Sequence, residues 1–214
     1  EPKEEPEEEP EKKSGAKEIY KILALGDSYT IGQSVCTTCN FPQQLKLMIE
    51  KECEIEVDLK IIAKTGWTTT NLKNAIPKEH NTHYDFVTLL IGVNNQFQGI
   101  NFNIYKKEFS ELLTTAVKAA KGNKKNVVVL SIPDYAFTPF GNGNTKISKD
   151  LKVYNAFAKQ YCNTYGVDYL YITDITEKGL EQPELVANDG LHPSKIAYAK
   201  FVQKLYPIFL ETLK

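Results

Sequence analysis

The feature that most constrains the fold is a regular alternation of apolar, strand-like runs with amphipathic stretches. Runs rich in β-branched and aliphatic residues predict five strands, at residues 20–25, 55–63, 86–91, 126–132 and 169–172. Runs such as "FVTLLI" and "VVVLSI" are apolar throughout, as expected of strands covered on both faces. Helical patterns follow at about residues 42–51, 69–74, 104–121, 149–165 and 194–213. This alternation predicts an α/β domain in which helices cover both faces of a parallel sheet.

The chain is predicted to contain one folded domain, residues 18–214, preceded by an acidic segment at residues 1–17. The 214-residue length suits a single core. The segment "EPKEEPEEEPEKK" spaces proline among glutamate and lysine and has little apolar surface to bury, so we expect it to be disordered. Such a leader is typical of the tether of a secreted or lipid-anchored bacterial protein, which predicts an extracytoplasmic location; the alternative is a variable terminus.

Charge and composition argue against several classes of function. The net charge is −1, and the basic residues are 26 scattered lysines without a single arginine. A bidentate arginine clamp on phosphate is therefore impossible, and the absence of a basic cluster argues against a nucleic-acid partner. No run of about 18 apolar residues occurs that could form a membrane-spanning helix.

The four cysteines leave three interpretations open. Cys36 and Cys39 form a C-x-x-C pair in a predicted loop, whereas Cys53 and Cys162 are isolated in the sequence. A disulfide that pins the loop is favoured over free thiols, and a metal or redox site is the least favoured because neither a second pair nor a thioredoxin-like context is present.

Polar residues and glycines follow the predicted strands at the points where ligands bind in parallel α/β sheets. Because the carboxyl ends of parallel strands share one edge, these residues should gather on one rim. They are Gly26-Asp27-Ser28 after the first strand, Gly66-Trp67 after the second, Asn94-Asn95 after the third, Asp134-Tyr135 after the fourth, and Asp189 to His192 beyond the fifth.

This set contains what nucleophilic catalysis by serine requires. A serine needs a neighbouring base to take its proton, and His192 could serve Ser28 in that role. Asp189, three residues before His192, could orient the imidazole and stabilise its charged form. The backbone N–H groups of Ser28 and Gly66 and the side-chain amide of Asn94 could stabilise an oxyanion.

These residues occur in motifs that resemble those of the SGNH hydrolases, also called GDSL lipases and esterases. The motifs appear in order as "GDSYT", "TGWTTT", "GVNN" and "DGLHP", and the resemblance spans residues 20–200. It implies a flavodoxin-like three-layer α/β/α sandwich with a five-stranded parallel sheet, and ester hydrolysis through an acyl-enzyme on Ser28. The third motif usually reads Gly-x-Asn-Asp, and Asn95 replaces that acid here.

We therefore expect a serine esterase that needs no cofactor or metal and acts on small acyl esters such as carbohydrate acetates, with a monomer favoured over an oligomer. A lysophospholipase or thioesterase is the enzymatic alternative, and a catalytically silent carbohydrate-binding protein is the non-enzymatic one. Trp67 is predicted either to border the substrate or to pack beneath its loop. The candidate substrate-contacting aromatic residues of the loop after the fourth strand are Tyr135, Phe137 and Phe140. His80 and His83 precede the third strand, which predicts surface positions at the opposite edge of the sheet.

Overall fold

A computed structural model describes residues 19–77 and 83–214 of the chain. Within these residues the strands are β1 Ile19–Gly26, β2 Glu56–Ala63, β3 Phe86–Leu90, β4 Val127–Leu130 and β5 Asp168–Leu170. The helices are α1 Ser28–Ile31, α2 Phe41–Glu52, α3 Thr69–Ala75, α4 Val93–Phe97, α5 Phe102–Ala119, α6 Thr145–Tyr165, α7 Thr173–Thr176 and α8 Lys195–Glu211. Three short 3₁₀ segments occupy Lys124–Asn126, Tyr135–Phe137 and Pro183–Leu185. The predicted disordered leader and His80 lie outside the described residues.

The strands form one parallel sheet in the order β2-β1-β3-β4-β5. This is the flavodoxin-like arrangement, in which the strand order reverses between β1 and β3. Right-handed crossovers place α2 on one face and α3, α5 and α6 on the other. α8 packs against α2, and α5 packs against both α3 and α6. The predicted α/β/α architecture is confirmed.

The core lies on both sides of the central strands, as their apolar sequences predict. All five residues of β3 and all four of β4 are buried. The helices begin where polar side chains accept the first backbone N–H groups: Asn40 caps α2, Asn101 caps α5, and Ser194 caps α8. Among the described helices, none has both the length and the apolar character needed to cross a membrane.

The fifth strand ends earlier than predicted because a side chain of a neighbouring segment binds the backbone beyond it. The interval 169–172 was expected to be extended, but β5 ends at Leu170. Beyond it, the backbone N–H groups of Ile172 and Thr173 both donate to the side-chain oxygen of Ser131, at 2.8 and 3.0 Å. A side chain thus takes the place of the neighbouring strand, and the chain turns into α7.

Candidate active site

Ser28 lies at the carboxyl end of β1, as the first residue of the short helix α1. The strand can turn there because Gly26 has no side chain: a Cβ at this position would collide with the Thr30 hydroxyl and the Leu90 carbonyl oxygen. Asp27 then accepts a hydrogen bond from the backbone N–H of Tyr29 at 3.0 Å, which caps the helix. Ser28 is largely buried and lines a cavity on the rim of the sheet.

His192 and Asp189 form a hydrogen-bonded pair on the same rim. Nδ1 of His192 lies 2.6 Å from Oδ2 of Asp189. The other carboxylate oxygen, Oδ1, accepts from the backbone N–H groups of Leu191 at 2.9 Å and His192 at 3.0 Å. The sequence spacing permits this because the turn folds back on the aspartate side chain. With Nδ1 engaged, Nε2 of His192 is the ring nitrogen left for chemistry.

The Asp189 carboxylate is held in its charged form. Burial opposes ionisation, but the hydrogen bonds from Ser34, His192 and Leu191 outweigh it and lower the pKa of Asp189 to about 2. The Ser34 hydroxyl donates to Oδ2 at 2.7 Å. Asp189 is therefore able to stabilise positive charge on the imidazole across the neutral pH range.

The loop that carries His192 is fixed by its own backbone and by a ring contact. The backbone N–H of Ala187 donates to the His192 carbonyl oxygen at 2.8 Å, next to an antiparallel bridge between Val186 and Pro193. The Tyr29 ring lies 5.5 Å from the imidazole, centroid to centroid. His192 is only 9% exposed, so these contacts restrict the ring to one orientation.

Gly66 and Asn94 border the cavity that Ser28 and His192 also line. Gly66 has φ +84°, a conformation that favours glycine, and an added Cβ would meet no protein atom within 4 Å. The Asn94 side-chain Nδ2 donates to the Trp67 carbonyl oxygen at 3.0 Å. That bond uses one of its two N–H groups. The structure thus brings the candidate nucleophile, base and oxyanion donors to one place.

The cavity has a volume of about 230 Å³ and a largely apolar wall. Its apolar and aromatic lining residues are Tyr29, Val93, Phe97, Tyr135, Phe140 and Leu191. Phe97, Tyr135 and Phe140 form a triangle with ring centroids 6.1 to 6.3 Å apart. Phe97 and Phe140 remain more than half exposed at the mouth. Such a wall suits an uncharged organic group.

Two of the predicted substrate-contacting aromatic residues do not line this cavity. The Trp67 side chain is half-buried and packs against the hydrophobic core, which agrees with the second of its two predicted positions. Phe137 lies in the 3₁₀ segment Tyr135–Phe137. With three residues per turn, a side chain two positions after Tyr135 points away from the surface that Tyr135 lines. Tyr135 and Phe140 do line the cavity.

The contributors to the site that were not predicted from the sequence include Phe97, Leu191 and Ser34. Phe97 follows Asn94 by three residues in α4, so the helical period could have placed both on one face. Leu191 sits within the predicted turn, between Asp189 and His192. Ser34 carries no local signal, because its partner Asp189 is 155 residues away in the sequence.

The remaining candidate residues lie away from the cavity. Cys36 and Cys39 are joined by a disulfide in the loop after α1, with their Cα atoms 4.9 Å apart. Cys53 and Cys162 are free thiols. His83 is exposed just before β3, at the edge of the sheet opposite the rim.

Solved structures of several esterases and lipases share this fold. The lipase Lip_vut3 from a goat rumen metagenome aligns with a TM-score of 0.70 and 22% identity over 88% of this chain and 97% of its own. The esterase EstA from Pseudoalteromonas sp. gives 0.65 and 18%, over 90% and 98%. A variant of the acetyl xylan esterase Axe2 from Geobacillus stearothermophilus gives 0.64 and 16%, over 90% and 95%.

At these identities the structural likeness shows the fold alone, and no curated protein sequence matches the chain significantly. The family model of the GDSL-like lipases and acylhydrolases, in contrast, matches residues 24–200. That interval contains Ser28, Gly66, Asn94, Asp189 and His192. The chain belongs to the GDSL-like lipase/acylhydrolase (SGNH) family of carboxylic ester hydrolases.

Proposed function

We propose that the protein is a serine esterase that hydrolyses small acyl esters, such as O-acetyl groups on carbohydrates. The observation that carries the proposal is that Ser28 and His192 line one cavity while Asp189 holds Nδ1 of His192 at 2.6 Å. This arrangement leaves Nε2 of the histidine to take the proton of the serine hydroxyl.

In the proposed mechanism, Oγ of Ser28 bonds to the carbonyl carbon of the ester as Nε2 of His192 takes its proton. The carbonyl oxygen becomes an oxyanion, which the N–H groups of Ser28 and Gly66 and the amide of Asn94 stabilise. The carbon–oxygen bond to the alcohol then breaks, and His192 returns the proton to the leaving oxygen. Water, deprotonated by His192, attacks the acyl-enzyme in the same way and frees the acid and Ser28.

The size of the cavity supports a small acyl group. At about 230 Å³ it lies below the roughly 300–1,000 Å³ of pockets that take drug-sized ligands. Among the described residues, none of those that line it is a lysine, an aspartate or a glutamate. An uncharged acyl group therefore fits better than an anionic one.

A lysophospholipase or thioesterase remains the second candidate because of one feature of Phe97. Besides the cavity, this ring borders a second, more open groove of about 490 Å³, whose lining includes the apolar side chains of Ile100, Phe102 and Val153 and, among its polar residues, Lys146 and Asp150. A long acyl chain could pass over Phe97 into the groove. The Phe97 side chain should therefore determine whether the protein prefers esters with short or with long acyl chains.

The nucleophile is tested with a fluorophosphonate probe and the Ser28→Ala variant. We expect labelling of Ser28 alone, and a fall in turnover of about 10⁴- to 10⁶-fold in the variant. Ser110→Ala, at a partly exposed helix position, is the matched control and should keep full activity. Labelling at another residue, or an active Ser28→Ala protein, would contradict the mechanism and leave the non-catalytic carbohydrate-binding alternative to be tested by sugar titration.

The substrate class is tested with p-nitrophenyl esters of increasing chain length, acetylated xylose, lysophosphatidylcholine and an acyl thioester. We expect kcat/KM to be highest for acetyl to butyryl esters. Phe97→Ala should raise the relative activity on octanoyl esters by joining the cavity to the groove. A preference of the unaltered protein for palmitoyl esters or for thioesters would favour the second candidate.

We also propose an extracytoplasmic location, which the Cys36–Cys39 disulfide supports because such bonds persist in oxidising compartments. Immunoblotting of fractionated cells, with thiol alkylation before lysis, tests it. Recovery of the protein in the cytoplasmic fraction would contradict this location.

A further inference from the structure

A buried polar network connects the two loops that carry the candidate oxyanion donors. Asn95 follows Asn94 in α4 and is fully buried. Its Oδ1 accepts from the backbone N–H of Thr69 at 2.9 Å, and its Nδ2 donates to the Thr69 hydroxyl oxygen at 2.8 Å. Thr69 begins α3, three residues after Gly66. One side chain thus holds the start of α3 by two hydrogen bonds.

The network continues to a buried acid on a third element. Oε2 of Glu108, in α5, accepts from the hydroxyls of Thr69 at 2.6 Å and Thr70 at 2.8 Å. Lys73 lies 3.5 Å from Oε1 of the same carboxylate. Glu108 is 7% exposed, so its charge depends on these partners for stabilisation.

The identity of residue 95 follows from the direction of these bonds. The Thr69 hydroxyl has a single proton and gives it to Glu108, so it can only accept from residue 95. Asparagine supplies the donor that this requires, and its carbonyl oxygen accepts the Thr69 backbone N–H. An ionised aspartate at position 95 has no N–H to donate to the Thr69 hydroxyl. Its negative charge would also lie close to that of the Glu108 carboxylate, with only the Thr69 hydroxyl group between them.

Two neighbouring side chains hold the same loop closer to the cavity. Asn94 donates to the Trp67 carbonyl oxygen at 3.0 Å, and Nε2 of Gln98 donates to the Gly66 carbonyl oxygen at 3.0 Å. Together with the contact from Asn95 to Thr69, these bonds attach residues 66–69 to α4 at three points. The separation of the Gly66 N–H and the Asn94 amide is therefore set by α4.

We propose that Asn95 is a positioning residue for ester hydrolysis: with Glu108 it fixes the start of α3 against α4, and so sets the geometry of the two oxyanion donors that flank the cavity. Asn95 itself touches no substrate. The inference rests on the proposed roles of Gly66 and Asn94. A displacement of donors by about 1 Å can lower turnover about 10²-fold, so a distant network of this kind can act on kcat.

The test is a double-mutant cycle of Asn95→Asp and Glu108→Gln in the full chain. In the double variant a glutamine at position 108 can donate to the Thr69 hydroxyl, which can then donate to an aspartate at position 95. The two side-chain bonds through the Thr69 hydroxyl are thus restored in reverse at unchanged net charge, while the ion pair of Lys73 with residue 108 is lost. We expect Asn95→Asp to lower kcat on p-nitrophenyl acetate by about 10²-fold with KM little changed. The double variant should recover at least about tenfold of that loss.

Stability is measured in parallel, because a merely structural network would lower Tm and leave kcat of the folded protein intact. Asn123→Ala is the control: it removes a side-chain cap at the opposite edge of the sheet and should lower Tm slightly at constant kcat. A folded Asn95→Asp protein with unchanged kcat, or a double variant no better than the single one, overturns the inference while the esterase activity stands. An unaltered protein without esterase activity would instead overturn the proposed function, and the inference with it.

Discussion

The Ser34 hydroxyl donates to Oδ2 of Asp189 at 2.7 Å, the same carboxylate oxygen that lies 2.6 Å from Nδ1 of His192. The aspartate is thus held from two sides by residues far apart in the sequence. Ser34 occupies a left-handed backbone conformation, φ +67°, in the loop after α1, two residues before the disulfide between Cys36 and Cys39. This loop, which contains none of the candidate reacting groups, therefore helps to hold the pair formed by Asp189 and His192.

Removal of the Ser34 hydroxyl should weaken that support. A hydrogen bond to a charged group contributes about 1.5–3 kcal/mol, and we expect about 1 kcal/mol here because Ser34 is exposed. In Ser34→Ala the pKa of Asp189 should rise from about 2, since the first of the hydrogen bonds that favour its ionised form is lost. We expect kcat to fall about fivefold, the rate equivalent of about 1 kcal/mol. Carbon-13 NMR titration of the carboxyl group and steady-state kinetics measure the two effects; an unchanged pKa and an unchanged kcat together would show that the contact is unimportant.

Loss of the Cys36–Cys39 disulfide should loosen the same loop. The closed ring spans four residues, so the chain-entropy relation gives a stabilisation of about 2 kcal/mol. The double variant Cys36→Ser/Cys39→Ser should have a lower Tm, and its kcat should fall in the same direction as in Ser34→Ala because Ser34 lies two residues before the ring that is opened. Non-reducing peptide mapping establishes the bond, with Cys53→Ala as a control that leaves it intact. Four free thiols in protein purified under oxidising conditions would refute it.

The site could be located from the sequence because its main residues follow strands of a parallel sheet. In the order β2-β1-β3, the strands that precede Gly66, Ser28 and Asn94 are neighbours, so their carboxyl ends converge whatever the loops do. The pairing of Asp189 with His192 is local, within one turn. The apolar pattern of the strands was sufficient to predict the first of these features, and the residue types within the turn were sufficient to predict the second.

The parts that could not be predicted depend on side-chain direction and on the paths of loops. Trp67 adjoins Gly66, the candidate oxyanion donor. Its carbonyl oxygen faces Asn94 and its ring packs on the core, and no periodic pattern in a loop distinguishes these directions. The contact between Ser34 and Asp189 closes a separation of 155 residues. The presence of Asn95 in place of the usual acid is explained by Glu108, a residue of another helix. Glu108 accepts a hydrogen bond from the same Thr69 hydroxyl to which Asn95 donates.

Loss of the Asn94 amide should act on turnover more than on substrate binding. If Nδ2 donates to the oxyanion, its bond strengthens as charge develops in the transition state. Asn94→Asp keeps the size of the side chain and removes both N–H groups. We expect kcat to fall by about 10²- to 10³-fold, with KM little changed. Gln98→Ala, which removes only an anchor of the loop, should have a much smaller effect on kcat. An unchanged kcat in folded Asn94→Asp protein would leave a site with two donors.

The Asp27 carboxyl should make stability depend on pH in the direction opposite to that of Asp189. Asp27 is fully buried; its Oδ1 accepts from the Tyr29 N–H, and its Oδ2 has no hydrogen-bond partner among the described residues. Burial raises its pKa to about 7, against the backbone N–H groups of Tyr29, Asp27 and Gly92, which favour the ionised form. The folded protein therefore keeps this proton up to about pH 7, whereas the unfolded chain releases it near pH 4.

Between these values the folded state binds more protons than the unfolded state, so the free energy of unfolding should fall as pH rises from about 4 to about 7 and level off above. The slope from one such group is at most about 1.4 kcal/mol per pH unit. Asp27→Asn should remove this contribution while its side-chain oxygen still accepts from the Tyr29 N–H. Asp189 does not interfere, because its pKa of about 2 confines its opposite effect to pH below about 4.

Urea unfolding of both proteins at pH 5, 6, 7 and 8 isolates the difference, since the histidines and all other groups are common to the two. Parallel stability curves would mean that Asp27 is ionised in the folded protein and that a buried partner satisfies its second oxygen.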